Sequence, residues 1–161
     1  MRVFLIRHGK AKPDSPTGLD DDRALRPRGH RQTSYLAGFL AARPDRPAMV
    51  VVSGLVRAVQ TAEPILAAVG CPSETDRALG RFFDPDPPAD AVRRHARLPS
   101  IAIIGHNEQL SLALSDWTGG AERLSTGEMA VLEIERGNAA SASALLSAEL
   151  CARIRLSEED A

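Results

Sequence analysis

The sequence predicts an α/β fold in which a mostly parallel sheet carries helices on both faces. Three apolar runs, residues 3–6, 49–52 and 101–104, have the length and the Val/Ile/Leu-rich composition of buried strands. Each is followed by a segment with apolar residues at helical spacing, and strands alternating with helices give a parallel sheet. Each run also ends in polar residues: Arg7-His8-Gly9, then Ser53-Gly54-Leu55-Val56-Arg57, then Gly105-His106-Asn107. The ends of strands in open α/β sheets are where such folds bind ligands.

Taken in order, the first strand covers residues 3–6 and leads into a polar stretch, 10–26, rich in Asp, Pro and Gly and longer than a usual connection. Pro27 suits a first helical position, and Tyr35, Leu36, Phe39 and Leu40 form one apolar face until Arg43-Pro44 stops the helix. Residues 49–52 make the second strand. Ser53 is a suitable N-cap for a helix whose face is Leu55, Val59, Ala62, Leu66 and Val69; Pro64 should kink or split it, and Gly70 and Pro72 close it. Residues 80–88, with three prolines in their last four positions, read as a loop before a helix at 89–97. The third strand, 101–104, feeds a helix with the stripe Leu110, Ala113, Leu114 and Trp117. Residues 129–134 alternate as a strand, Gly137-Asn138 reads as a turn, and the following Ala/Ser segment pairs back as a hairpin. The last dozen residues carry no assignment. No repeat or linker divides the chain, so residues 1–161 are expected to form a single domain.

Composition narrows the function classes. A chain of 161 residues with 43% hydrophobic and 25% charged residues is long enough to bury roughly two-thirds of its unfolded surface. A formal net charge of -1 and 4% aromatic residues argue against a nucleic-acid partner. No apolar run has membrane-spanning length and no leader pattern precedes the first strand, so a soluble, cytoplasmic protein is expected. Cys71 and Cys151 are far apart and lack ligand spacing, which indicates neither a disulfide nor a zinc site.

If the three strand ends are neighbours, one sheet edge holds Arg7, His8, Arg57 and His106. Two guanidinium groups offer forked donors and a permanent charge, which suit the oxygens of a phosphoryl group. Arg57 falls in the first turn of its helix, where the macrodipole disfavours a cation unless an anion also sits there. Surrounding cations hold His8 neutral, and a neutral imidazole nitrogen can attack phosphorus. His106 would donate to the transferring oxygens and, with both arginines, stabilise the transition state. No metal or cofactor is required, and neither a P-loop nor an HExxH helix is present. His30 and His95 lie in helical segments beside arginines and are assigned to solvated faces. In the basic cluster Arg23, Arg26, Arg28, His30 and Arg31, partly cancelled by Asp20, Asp21 and Asp22, Arg23 is the side chain the long loop could swing over the phosphate.

These motifs, in this order, resemble the histidine phosphatase superfamily: RHG at Arg7-His8-Gly9, S-x-x-x-R-A-x-Q-T from Ser53 to Thr61, and G-H at Gly105-His106. The short chain, Leu25-Arg26-Pro27-Arg28-Gly29 in the place of L-T-x-x-G, and Ser125-Thr126-Gly127 look like the small SixA-type phosphohistidine phosphatases. The resemblance, spanning roughly residues 1–140, implies transient phosphorylation of His8 and a phosphate pocket of Arg7, Arg57 and His106. Lys10 stands where many members have an acidic residue, Ser or Gln. Leu79-Gly80-Arg81 puts an arginine where the phosphoglycerate mutase branch carries its general acid, leaving Asp84, Asp86 and Glu108 as substitutes.

A site without a strong acid favours phosphohistidine, because imidazole is a far better leaving group than an alkoxide. The chain also lacks the large insertions that lid small-substrate members, which suits a phosphorylated protein as the partner. The alternatives are a small-molecule phosphomonoesterase or phosphoglycerate mutase-like enzyme, and a phosphate- or phosphoprotein-binding module without turnover.

Overall fold

A computed structural model describes residues 1–80, 86–140 and 146–157 of the chain. Its centre is a six-stranded sheet of β1 (Arg2–Arg7), β2 (Val50–Val52), β3 (Ser73–Thr75), β4 (Ser100–Gly105), β5 (Glu128–Ile134) and β6 (Ala148–Arg155) in the order β3-β2-β4-β1-β5-β6. β3, β2, β4 and β1 run parallel, while β5 is antiparallel to both β1 and β6. The α/β reading with an antiparallel edge holds.

Strand alternation divides the core into two layers. Val3, Leu5, Val51, Ile101, Ile103, Ala130 and Leu132 pack on one face with α3 (Pro87–Arg94), α4 (Asn107–Thr118) and α5 (Arg136–Ala140). Phe4, Ile6, Val50, Val52, Ala102, Ile104 and Met129 pack on the other with α1 (Pro27–Ala41) and α2 (Val56–Val69). Burying both faces is what makes the central strands continuously apolar. The α4 stripe of Leu110, Ala113, Leu114 and Trp117 is buried as its spacing predicts.

Several elements differ from expectation, each for a local reason. Ser53 is not the N-cap of α2; Leu55 is, and the Ser53 hydroxyl is turned to His106 instead. The buried face of α2 is Arg57, Ala58, Thr61, Ala62, Ile65 and Val69, and Val59 is exposed, because two polar residues with partners inside take the inward positions. The helix runs unbroken through Pro64, with Ala62 and Ile65 packed to either side of the turn that lacks its donor. On α1, Gln32, Thr33 and Ala37 are buried with Leu36 and Leu40, leaving Tyr35 exposed. α3 begins at Pro87 and ends at Arg94: the two prolines occupy first-turn positions that need no donor, and Asp86 caps the helix by accepting from the Ala89 N–H at 3.2 Å.

At the C-terminal end, Gly137 and Asn138 lie in α5, so they do not form a hairpin turn. The strand that pairs back on β5 is β6, where half-buried Ala148, Leu150, Ala152 and Ile154 alternate with exposed residues. The Ala/Ser segment at 141–145 lies outside the described residues, as does most of the 80–88 loop.

Parallel pairing brings the chemistry-bearing strand ends level. Arg7 is in register with Gly105, and Val52 with Ile104. The His8 N–H donates to the Gly105 carbonyl at 3.1 Å and the Ser53 N–H to that of Ile104 at 3.0 Å. β1 and α1 meet glycine to glycine: a Cβ on Gly9 would lie 2.7 Å from the Gly29 carbonyl oxygen, and one on Gly29 would collide with that of Lys10.

Gly29→Ala is therefore expected to cost about 1–3 kcal/mol and lower Tm by several degrees. Gly38→Ala in the same helix, where a Cβ meets nothing within 4 Å, is expected to be neutral or stabilising by up to about 1 kcal/mol. Melting curves of the two variants check this, and equal effects would remove the close-approach role of Gly29.

Candidate active site

The level strand ends surround a cavity of about 480 Å³ whose lining includes Arg7, His8, Arg57 and His106, all four residues that the sequence singles out. His8 follows β1 and His106 follows β4, and their ring centroids are 5.1 Å apart, tilted by 55°. His8 Nδ1 lies 2.8 Å from the Gly9 carbonyl oxygen, which can only accept. Nδ1 therefore carries the proton, and in the neutral ring Nε2 has the lone pair. Burial, aided by the charges of Arg57, Arg7 and Arg23, pushes the His8 pKa down to about 4, against the bond to Gly9, which raises it. The ring is neutral near pH 7.

His106 is held at its other nitrogen. Its Nε2 is 2.8 Å from the Ser53 hydroxyl, which also accepts from the Leu55 N–H at 3.4 Å. Burial, then His8, Arg57 and Arg7, push its pKa down to about 3, with Asp20 opposing. With Ser53 donating to Nε2, Nδ1 becomes the N–H. That nitrogen, with Arg7 Nε and Arg57 Nε, is buried with no hydrogen-bond partner among the described residues. All three residues line the one cavity, and guanidinium and imidazole donors suit an oxyanion.

Three of the other guanidinium nitrogens are tied to protein. Arg7 Nη1 donates to the Leu124 carbonyl at 2.8 Å and to Asn107 Oδ1 at 3.3 Å. Arg57 donates through Nη1 to the Asp20 carbonyl at 2.8 Å and through Nη2 to Asp20 Oδ2 at 2.9 Å. Asp20 also takes Arg23 Nε at 2.8 Å. Burial acts to raise the Asp20 carboxyl, but Arg57 and Arg23 outweigh it and hold the pKa below the usual carboxylate range. An anion does face the cation in the first turn of α2, and in this structure it is a carboxylate of the chain's own loop.

Asp20 is a residue that sequence reasoning missed as a partner; it entered only as part of a run cancelling nearby basic charge. The loop that carries it is closed by a bridge between Ala11 and Leu25 and by bonds from Lys12 N–H to Ala24 O and from Arg26 N–H to Lys10 O. Gln60 and Thr61 of the S-x-x-x-R-A-x-Q-T stretch bind it to α2. Gln60 Oε1 accepts from the Leu25 N–H at 2.7 Å, while Thr61 accepts from the Gly9 N–H at 3.1 Å and donates to the Arg57 carbonyl at 2.7 Å. Arg23 and Lys10 line the cavity. Of the three carboxylates considered as acids, Glu108 lines it, Asp86 caps α3 with its pKa raised by burial, and Asp84 lies outside the described residues along with Arg81. His30 is exposed and His95 faces Glu74 at 3.0 Å; neither lines the cavity. Among the described residues no group of three or more His, Cys, Asp and Glu side chains could hold a metal ion, and no helix is long and apolar enough to cross a membrane.

Residues 3–80 match the sequence profile of the Histidine phosphatase superfamily (branch 1), a stretch that contains Arg7, His8 and Arg57. The protein histidine phosphatase SixA complexed with tungstate superposes with a TM-score of 0.82 at 19% identity, over 96% of this chain and 97% of that one. A candidate phosphohistidine phosphatase SixA from Agrobacterium tumefaciens gives 0.80 at 21% identity, over 95% and 96%. The alpha-ribazole phosphatase from Shigella flexneri gives 0.65 at 21% identity, over 93% and 94%. At these identities the likeness establishes a shared fold. No curated protein sequence gives a significant match.

Two predictions follow from the geometry. Asp20 is an internal competitor for Arg57, and its side chain is 64% exposed, so its hold is worth no more than about 1 kcal/mol. Asp20→Asn is expected to bind inorganic phosphate about two- to fivefold more tightly by calorimetric titration; weaker binding would make Asp20 an organiser of the site. The second concerns acid stability. A histidine near 6.5 when unfolded and about 4 when folded takes up its proton first in the unfolded chain, so its contribution is complete above pH 6.5 and is lost as pH falls toward 4. For His8 this amounts to about 3 kcal/mol. His8→Asn should flatten the fall in Tm between pH 7 and 4, and an unchanged pH profile would contradict the buried neutral ring.

Proposed function

Starting from a chain that carries the histidine phosphatase superfamily signature and fold, and so a phosphatase, we propose that it is a protein-phosphohistidine phosphatase of the SixA type. The observation that carries this reading is the His8 ring, neutral and bonded through Nδ1 to Gly9, in a cavity whose lining also includes Arg7, Arg57 and His106. Capture of a structural relative with tungstate, an oxyanion, is in keeping with it.

In the proposed reaction His8 Nε2 attacks phosphorus in line while the bond to the substrate's imidazole nitrogen breaks. The substrate ring, protonated on its other nitrogen, leaves as neutral imidazole. Arg7, Arg57 and His106 donate to the equatorial oxygens, where charge is spread in the transition state. Water then attacks phospho-His8, the bond to Nε2 breaks, and inorganic phosphate departs carrying the oxygen of that water, whose protons are divided between the phosphate and solvent. Neither step asks the protein for a strong acid, which accords with Asp86 serving as a helix cap. The proposed substrate is a histidine-phosphorylated protein of the cytoplasm, and the openness of a site without lidding insertions supports a macromolecular donor.

Glu108 in the cavity lining is the one observation that favours the same-fold alternative, a small-molecule phosphomonoesterase, since it could protonate an alkoxide. Phosphate release from a histidine-phosphorylated carrier domain, measured beside an alkyl phosphomonoester, separates the two. The carrier should be dephosphorylated rapidly with little ester turnover, and His8→Ala should lose at least about a thousandfold in rate. Ester turnover that depends on Glu108, with an inert carrier, would transfer the assignment; binding without release from either substrate would make the protein a phosphate-binding module.

A further inference from the structure

Four residues close a ring of hydrogen bonds beside the phosphoryl cavity. Arg7, at the end of β1, donates through Nη1 to the Leu124 carbonyl at 2.8 Å and to Asn107 Oδ1 at 3.3 Å. The Leu124 N–H donates to the Ser111 hydroxyl at 3.0 Å, and that hydroxyl donates to the same Asn107 oxygen at 2.9 Å. Asn107 opens α4 directly after His106, and Ser111 stands one turn further along the helix. Of the four, Arg7 and Asn107 line the cavity.

The ring fixes which way the Asn107 side chain is turned. A guanidinium can only donate, so the atom that meets Arg7 is the amide oxygen and not the nitrogen. Ser111 agrees: its oxygen accepts from Leu124, and its proton goes to Asn107. Oδ1 thus receives two hydrogen bonds, and the N–H pair of Nδ2 lies on the other arm of the planar carboxamide. An amide whose oxygen accepts twice, once from a cation, is polarised and becomes a stronger donor at nitrogen. Leu124 is fully buried, so the ring is anchored in the core and holds the amide in place.

We propose that Asn107 is a further catalytic residue, whose Nδ2 donates a hydrogen bond to a non-bridging oxygen of the phosphoryl group that Arg7 binds. The inference rests on the phosphoryl reading of the cavity. Its contribution differs from that of the arginines, because a carboxamide adds a donor without adding charge. Asn107 transfers no proton: Nδ2 keeps its N–H pair through the attack of His8 and through the hydrolysis that follows. An amide that served only to orient Arg7 would act through that guanidinium alone, and a double-mutant cycle separates the two roles.

The test is an NMR titration of the isotope-labelled full chain with inorganic phosphate. The side-chain N–H pair of Asn107, identified by its loss from the spectrum of Asn107→Asp, should shift as the backbone amides of Gly9 and His106 report that the cavity fills. Asn107→Ala should weaken the phosphate Kd from the same titration by about tenfold, and by a similar factor when introduced into Arg7→Gln. If the alanine variant fails to fold, the wild-type side-chain shift decides. Backbone amides that respond while the N–H pair stays in place, or a loss that vanishes in the Arg7→Gln background, would overturn the contact and leave Asn107 as a positioning residue for Arg7, with the phosphatase reading intact. A chain in which neither set of signals responds binds no phosphate there, and both readings fall together. Turnover does not enter these readouts, so a chain that binds phosphate through Asn107 yet releases none from a phosphorylated substrate would sustain the contact and refute the phosphatase.

Discussion

The constraint on which this structure depends is the burial of uncompensated positive charge at the end of a parallel sheet. Arg57 is 4% exposed and its Nε has no partner among the described residues; Arg7 is half-buried beside it, and its Nε is equally unpartnered. Holding guanidinium groups there costs desolvation that the partly exposed Asp20 offsets only in part. The scaffold must supply the rest through rigid, well-packed strands, and the fully buried runs of β1 and β4 do so. Both histidines then follow: placed among these cations with little water, neither ring can hold a second proton near neutral pH.

Rigidity reaches the site through backbone contacts that glycine and short polar side chains allow. Gly9 and Gly29 let β1 and α1 approach within carbonyl contact, which sets where the long loop leaves the strand. Thr61 links the Gly9 amide to the Arg57 carbonyl, so the segment beside His8 and the helix bearing Arg57 are tied together. Gln32 repeats this on the other side, linking the Lys10 amide to the turn before β5. Such links fix the relative placement of His8, Arg57 and Lys10 more tightly than packing alone could.

Much of this was legible in the sequence because strand ends declare themselves: an apolar run interrupted by Arg-His-Gly or Gly-His has few places to go in an α/β fold. The four residues proposed for the site, Arg7, His8, Arg57 and His106, could thus be brought together before any coordinates. What was illegible were contacts that pattern does not encode. Asp20 reached Arg57 across 37 positions through a loop whose path depends on hydrogen bonds to Gln60 and Lys10. The α2 face was misread because Arg57 and Thr61, polar by composition, point inward to partners, which rotates the apolar stripe away from Val59. β3 is Ser-Glu-Thr, an edge strand without an apolar signal, and β6 shows a clean alternation that begins just before the unassigned last dozen residues and runs into them.

The same field serves both halves of the proposed reaction. Cations that disfavour imidazolium at rest favour a phosphoryl group carrying negative charge on the same ring, so the free nucleophile and its covalent intermediate are both stabilised by Arg7 and Arg57. The bond from His8 Nδ1 to the Gly9 carbonyl completes the argument. It keeps the proton on Nδ1 when Nε2 is phosphorylated, so the His8 ring is itself a protonated phosphoimidazole and can leave as neutral imidazole when water attacks. Substrate and intermediate thus present the same leaving group, and one set of donors stabilises both transition states. An alkyl phosphate would break that symmetry, since its first step would require a proton that the second does not, and a carboxylate placed for the first would add negative charge beside the phosphoryl oxygens in both.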